Sequence, residues 1–162
     1  MAAVDYFLKI EGIDGESTDK AHIKWIEVDS FSFGASQTGS FSAGGGGGAG
    51  KVQFQDFHFT SRVSKASPNM FLKCATGEHI KEGTISCRKA GGDQQKDFMF
   101  IKMTDVMVTS YQTGGSGNVV PTDQVSLNFT KIEFSYAPQD PTTGQLLPAV
   151  ITGWDLKANK KV

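Results

Sequence analysis

Residues 97–111 and 124–136 are two long stretches of β-branched and aromatic side chains, and nothing else in the sequence restricts the fold as strongly. Val and Ile together outnumber Leu by 20 to 6, and Thr adds 13 more. Side chains branched at Cβ pack well on a pleated sheet, so these stretches predict long strands. A long strand with an unpaired edge is a template for aggregation. Either closure of the sheet or a partner should therefore cover them.

The rest of the chain repeats the pattern in shorter pieces. Strands are expected at residues 4–10, 23–33, 51–60, 82–90 and 149–157 as well, giving seven or eight in all. Between Phe54 and Phe57 the apolar phase flips, as it does where a strand bends or carries a bulge. One segment is different. Ser67 and Pro68 offer a cap and a first helical residue, Met70, Phe71 and Cys74 fall at helical spacing, and Gly77 can stop the turn. A short helix over 67–76 is predicted. The fold class is mostly β: a compact barrel or two-sheet barrel with one short helix, in a single domain spanning residues 1–162.

Composition excludes several functions. Sixteen basic against seventeen acidic residues leave a net charge of −1, so no cationic surplus exists to meet nucleic-acid phosphates. No apolar run approaches the roughly 20 residues of a membrane-spanning helix, so no membrane insertion is expected. The first residues lack the basic and apolar regions of a signal peptide. Two cysteines, Cys74 and Cys87, make no disulfide framework and suit core positions in a protein folded in a reducing cytoplasm.

The candidate motifs are incomplete. Gly45 to Lys51 fits the phosphate-loop spacing, but Val52 stands where Ser or Thr should meet magnesium, and a strand follows instead of a helix. Gly114-Gly115-Ser116-Gly117 resembles a nucleophile elbow, yet Asn118 replaces its last glycine. His22, His58 and His79 are scattered. His58, between Phe57 and Phe59, reads as a partly buried structural histidine, and His79 as a solvated one. Cys74, His79 and Cys87 match no common zinc spacing. No enzyme, metal site or cofactor is expected.

Several fragments together carry a family resemblance. They are Val4-Asp5-Tyr6-Phe7-Leu8-Lys9-Ile10, Gly15-Glu16-Ser17, Phe31-Ser32-Phe33-Gly34, Ser36 to Ser40 and Gly44 to Val52. Ser67-Pro68-Asn69, Arg88 to Gly92, Ser126 to Phe129 and Gly153-Trp154 continue the series in order. The chain resembles the haemolysin-coregulated (Hcp) family, the tube subunits of bacterial type VI secretion. Phe31 and Phe33 stand where relatives often carry Trp. The resemblance implies a homohexameric ring and stacked rings forming a conduit. It also implies small effectors as lumen cargo, with spike, sheath and baseplate proteins as further partners. Such a subunit is cytoplasmic before assembly and is then secreted without a signal peptide.

Two sets of residues acquire roles under that resemblance. Ser32, with Ser30, is expected to face the lumen and its cargo. By alternation, Ile23, Trp25, Phe31 and Phe33 share one face of strand 23–33, while Val28, Ser30 and Ser32 share the other. Ordinary solvent-facing serines are the competing reading. The glycine-rich arm at about 35–50 can approach another backbone closely because it lacks side chains. Gly39, Ser40, Phe41, Gly44, Gly45, Gly46, Gly47, Gly48 and Gly50 are its expected contacts to a neighbouring subunit or ring, against the alternative of a plain surface loop. A stand-alone β-sandwich binding module remains the rival function, and it would need an exposed aromatic platform.

Overall fold

The computed structural model describes residues 4–37, 51–89 and 95–162. Eleven strands and one helix follow in the order β1 (Val4–Ile10), β2 (Ile26–Val28), β3 (Ser30–Ser32), β4 (Ala35–Ser36), β5 (Gln53–Phe54), β6 (Phe57–Arg62), α1 (Ala66–Thr76), β7 (Ile80–Lys89), β8 (Asp97–Gly114), β9 (Thr122–Tyr136), β10 (Val150–Asp155) and β11 (Lys160–Lys161). The mostly-β fold with a single helix matches the expectation. The strand count is higher because two of the expected strands break and two short strands, β4 and β11, are added.

The first break is at Asp29. Residues 23–33 do not form one strand: β2 pairs with β1, whereas β3 pairs with β6. The Asp29 amide donates to Thr60 O across the bend. The break resets the alternation. Ile26 and Val28 are buried, and Phe31 packs on the same core. Val28 therefore does not share a face with Ser30 and Ser32, and Ile23 stands 59% exposed. The second break lies at Gln55–Asp56, between Phe54 and Phe57 where the phase flips. Here β5 pairs with β4 in a separate two-stranded sheet, while β6 joins the main sheet.

The long hairpin β8–β9 organises the rest. One run of paired strands is β11-β10-β9-β8-β7-β1-β2. From β9 a branch leads to β6 and on to β3. The register of β8 against β9 shifts between Val108 and Ser110, and this bulge separates the two uses of the hairpin. Before it, β8 lies between β7 and β9. Beyond it, Ser110–Gly114 pairs with β9 alone among the described residues. Among the described residues the strands do not close into a continuously hydrogen-bonded barrel. The two halves are joined by the chain itself at the Asp29 bend.

The core lies between these halves. Leu8, Ile10, Ile26, Phe57, Phe59, Ile85, Ile101, Met103, Val106 and Leu127 are all buried. Helix α1 covers one side with Ala66 and Met70, and Cys74 packs against the cluster. Phe71 turns outward, with its ring edge-on to Tyr111. Gly77 ends the helix in a left-handed conformation (φ 68°), its amide bonded to Lys73 O. The cap at the other end is Lys65 and not Ser67. Ser67 is the second residue of the helix, where its hydroxyl accepts from the Ser64 amide and donates to the buried carboxylate of Asp123. Tyr111 donates to the other Asp123 oxygen at 2.8 Å. This one carboxylate therefore ties the helix to the hairpin.

Candidate functional site

The branch β3-β6-β9-β8 presents an outward face whose side chains stand in two cross-strand rows. Alternation along each strand sends every second residue to this side. The registers then align them. Ser30 faces Thr60, Thr60 faces Gln124, and Gln124 faces Gln112. In the second row, Ser32 faces His58, His58 faces Ser126, and Ser126 faces Ser110. All eight are polar, and none carries a carboxylate, ammonium or guanidinium. They line a groove of about 390 Å³. Its floor is apolar: Phe31, Phe59 and Val125 point down from the same strands into the core.

Some of these groups are already spoken for. Ser30 Oγ and Thr60 Oγ1 are 2.6 Å apart. Ser126 Oγ lies 2.6 Å from His58 Nδ1. Ser32, Ser110, Gln112 and Gln124 have no side-chain hydrogen bond within the described residues, so their hydroxyls and amides are open to a ligand. Ser30 and Ser32 both point outward, as the sequence predicts, although for a different local reason. His58 is exposed, not partly buried. The sequence hides this because its neighbours Phe57 and Phe59 are the inward members of the same strand.

The Ser126–His58 pair invites comparison with a hydrolase dyad. Such a base needs a third group to orient it. Among the described residues no carboxylate reaches His58, and the nearby Asp56 is engaged by Thr109 and Asn128. Nor do the described residues hold a cluster of three or more metal-ligating side chains.

A second cluster was missed by sequence reasoning altogether. His22 is 1% exposed, with its ring stacked on Phe7 at 4.2 Å and edge-on to Trp25. Its Nδ1 lies 2.6 Å from Asp19 and its Nε2 2.9 Å from Asp97. Arg88 reaches Asp19 at 2.8 Å and lies over the Phe7 ring. Burial alone would raise the Asp19 carboxyl. The hydrogen bonds from His22 and Arg88, with the Arg88 charge, outweigh it and hold the group below its ordinary value. Burial, and then the nearby Asp97, push the Cys87 thiol up to about 12. The cluster fastens the β1–β2 connection to β7 and β8, and leaves Arg88 Nε and Asp97 Oδ1 buried without a hydrogen-bond partner among the described residues. No motif joins residues 19, 22, 88 and 97, so only the fold could reveal it. His79, by contrast, is solvated as expected and pairs with Asp105 at 2.7 Å.

The arm residues Gly39, Ser40, Phe41, Gly44, Gly45, Gly46, Gly47, Gly48 and Gly50 lie outside the described residues. No helix among the described residues is long and apolar enough to cross a membrane.

The described residues give a mostly-β fold with one helix and a sheet face of uncharged polar side chains. Comparison with known proteins makes the class specific. The family model described as type VI secretion system effector, Hcp, matches residues 7–136. The protein hcp1 of Pseudomonas aeruginosa is 42% identical over 158 residues, covering 97% of this chain and 98% of that protein. A solved structure described as a type six secretion system protein superposes with a TM-score of 0.92 at 30% identity, covering 99% of this chain and all of the other. Hcp1 from Salmonella typhimurium superposes with a TM-score of 0.81 at 31% identity over the full length of both chains. The chain belongs to the Hcp family of type VI secretion proteins.

Proposed function

We propose that this chain is the subunit of a type VI secretion inner tube. Copies form hexameric rings, rings stack into a conduit, and small effectors travel in the lumen. The chain works as a structural and carrier protein, not as an enzyme. It leaves the cytoplasm by the type VI route with the spike, sheath and baseplate proteins of that machine as its partners.

The observation that carries this reading is the pair of free edges on the β3-β6-β9-β8 face. On one side, β3 has no partner beyond β6 among the described residues. On the other, Ser110–Gly114 of β8 has none beyond β9. The two edges differ, so pairing one with the other joins copies head to tail. Such a contact closes into a ring when its rotation closes. It also removes the aggregation hazard of a bare edge. Each copy then adds four strands to a continuous inner wall, and Ser30 and Ser32 face the lumen.

Charge at the joint tests this. The first row ends in Ser30 on one edge and Gln112 on the other. Combining Ser30→Lys with Gln112→Lys places like charges across the joint, which opposes strand pairing. Ser30→Lys with Gln112→Glu restores attraction. The first double variant should lose rings on a sizing column and the second should keep them. Equal ring content in both would count against this joint.

A further inference from the structure

We infer that the groove across β3-β6-β9-β8 recognises uncharged, hydrogen-bonding polypeptide surface, so that cargo is held without dependence on its net charge. The inference rests on the reading of this face as the lumen wall. It goes further in naming the chemistry that is recognised.

The eight side chains are uniformly polar. Five hydroxyls, two carboxamides and one imidazole occupy every position of the two registered rows. This is not what the surface supplies by default, because one residue in five of the chain is charged. Lys102, Asp105, Lys131 and Glu133 lie on β8 and β9 across the bulge, outside the groove, and Asp123 is buried against α1. Arg62 continues β6 past Thr60, and Asp29 sits at the bend before Ser30; both line the neighbouring cleft, not this groove. At the opposite end, Asp56 is occupied by Thr109 and Asn128. A charged ligand in the groove would therefore lose water and find no counter-charge, which costs free energy.

An uncharged polar surface fares better. Carboxamides donate and accept, and hydroxyls rotate to do either, so open groups at Ser32, Ser110, Gln112 and Gln124 can answer both peptide N–H and C=O. The ring pairs Ser30–Thr60 and Ser126–His58 hold their neighbours in place between these open positions. A carbohydrate fits less well, because the aromatic rings beside the groove, Phe31 and Phe59, point into the core and leave no stacking platform there. Repetition around a ring would multiply weak contacts of this kind, giving retention from many modest hydrogen bonds.

The test uses the full-length protein at pH 8 and three capped synthetic peptides of equal length. One is built from Ser, Asn, Gln and Gly; in the others several positions are replaced by Lys or by Glu. Binding is measured by titration calorimetry at about 50 and about 500 mM salt, a range over which screening of exposed charges changes severalfold. The neutral peptide should bind tightest, with Kd changing by less than about twofold across that range. Gln124→Lys, at the groove centre, should transfer preference to the Glu peptide and make its binding salt-sensitive, and Gln124→Glu should do the reverse. Light scattering on each sample reports the ring separately. Binding confined to a charged peptide, or weakened about tenfold by salt in the unmodified protein, would overturn the inference. So would intact rings that bind no neutral peptide, and that outcome leaves the tube reading standing. A monomer that still binds the neutral peptide by this groove would uphold the recognition chemistry and sink the ring.

Discussion

Asp19 shows how a single side chain couples local geometry to pH. Its carboxyl is held below the ordinary value despite burial, by His22 and Arg88. A folded-state pKa below the unfolded one stabilises the protein above about pH 4 and ceases to do so as pH falls through the folded value. Asp19→Asn should therefore lower the melting temperature at pH 7, and the gap from the unmodified protein should narrow as the pH falls below about 4. A constant gap across that range would separate Asp19 from the acid limb. Cys87 offers a chemical test of the same core. With its thiol pushed up to about 12 it carries almost no thiolate at pH 8. Iodoacetamide should label Cys74 in the native protein and reach Cys87 only after denaturation, as read by peptide mass.

Elements are fixed by close approach and by shared carboxylates. A Cβ on Gly15 would lie 2.4 Å from Trp25 O and within 2.7 Å of two further backbone atoms. Neither side can yield without moving the β1–β2 connection, so Gly15→Ala should cost about 2 kcal/mol or more in denaturant unfolding. Asp123 ties α1 to the hairpin through Ser67 and Tyr111. Burial, followed by the Asp123 hydrogen bond, raises the Tyr111 phenol above its ordinary value. Asp123→Ala strands both hydroxyls and should cost about 2–4 kcal/mol, with α1 amides losing hydrogen-exchange protection before the sheet does.

These elements also mark what the sequence can and cannot reveal. The helix was legible because Met70 and Cys74 repeat at its period and Gly77 ends it. Its true cap was not, because Ser67 is a good capping residue that the fold uses to hold Asp123. The long hairpin was legible from β-branched content. The break at Asp29 left the same trace as the one after Phe54, a flip of the apolar phase between Val28 and Phe31, but which partner each half takes, β1 or β6, is written in no local pattern. The polar rows were half visible. Ser30 and Ser32 could be placed outward from alternation, but pairing them with His58, Thr60, Gln124 and Ser126 requires strand registers that no local pattern contains. Asp19, His22, Arg88 and Asp97 are separated along the chain and meet only through topology.

At the scale of the whole molecule, the fold leaves unfinished what a ring would complete. The sheet path ends without closing, and two dissimilar edges flank a face of uncharged polar side chains. Phe134, Tyr136, Val150 and Ile151 are also exposed along the β9–β10 region. A net charge of −1 imposes little mutual repulsion on copies that associate. Rings built by edge pairing would cover these open strands. The most direct test is the solution mass of the purified protein, by light scattering on a sizing column. The account predicts a particle of six times 17.4 kDa that persists on dilution. A single species of 17.4 kDa at high concentration would contradict it.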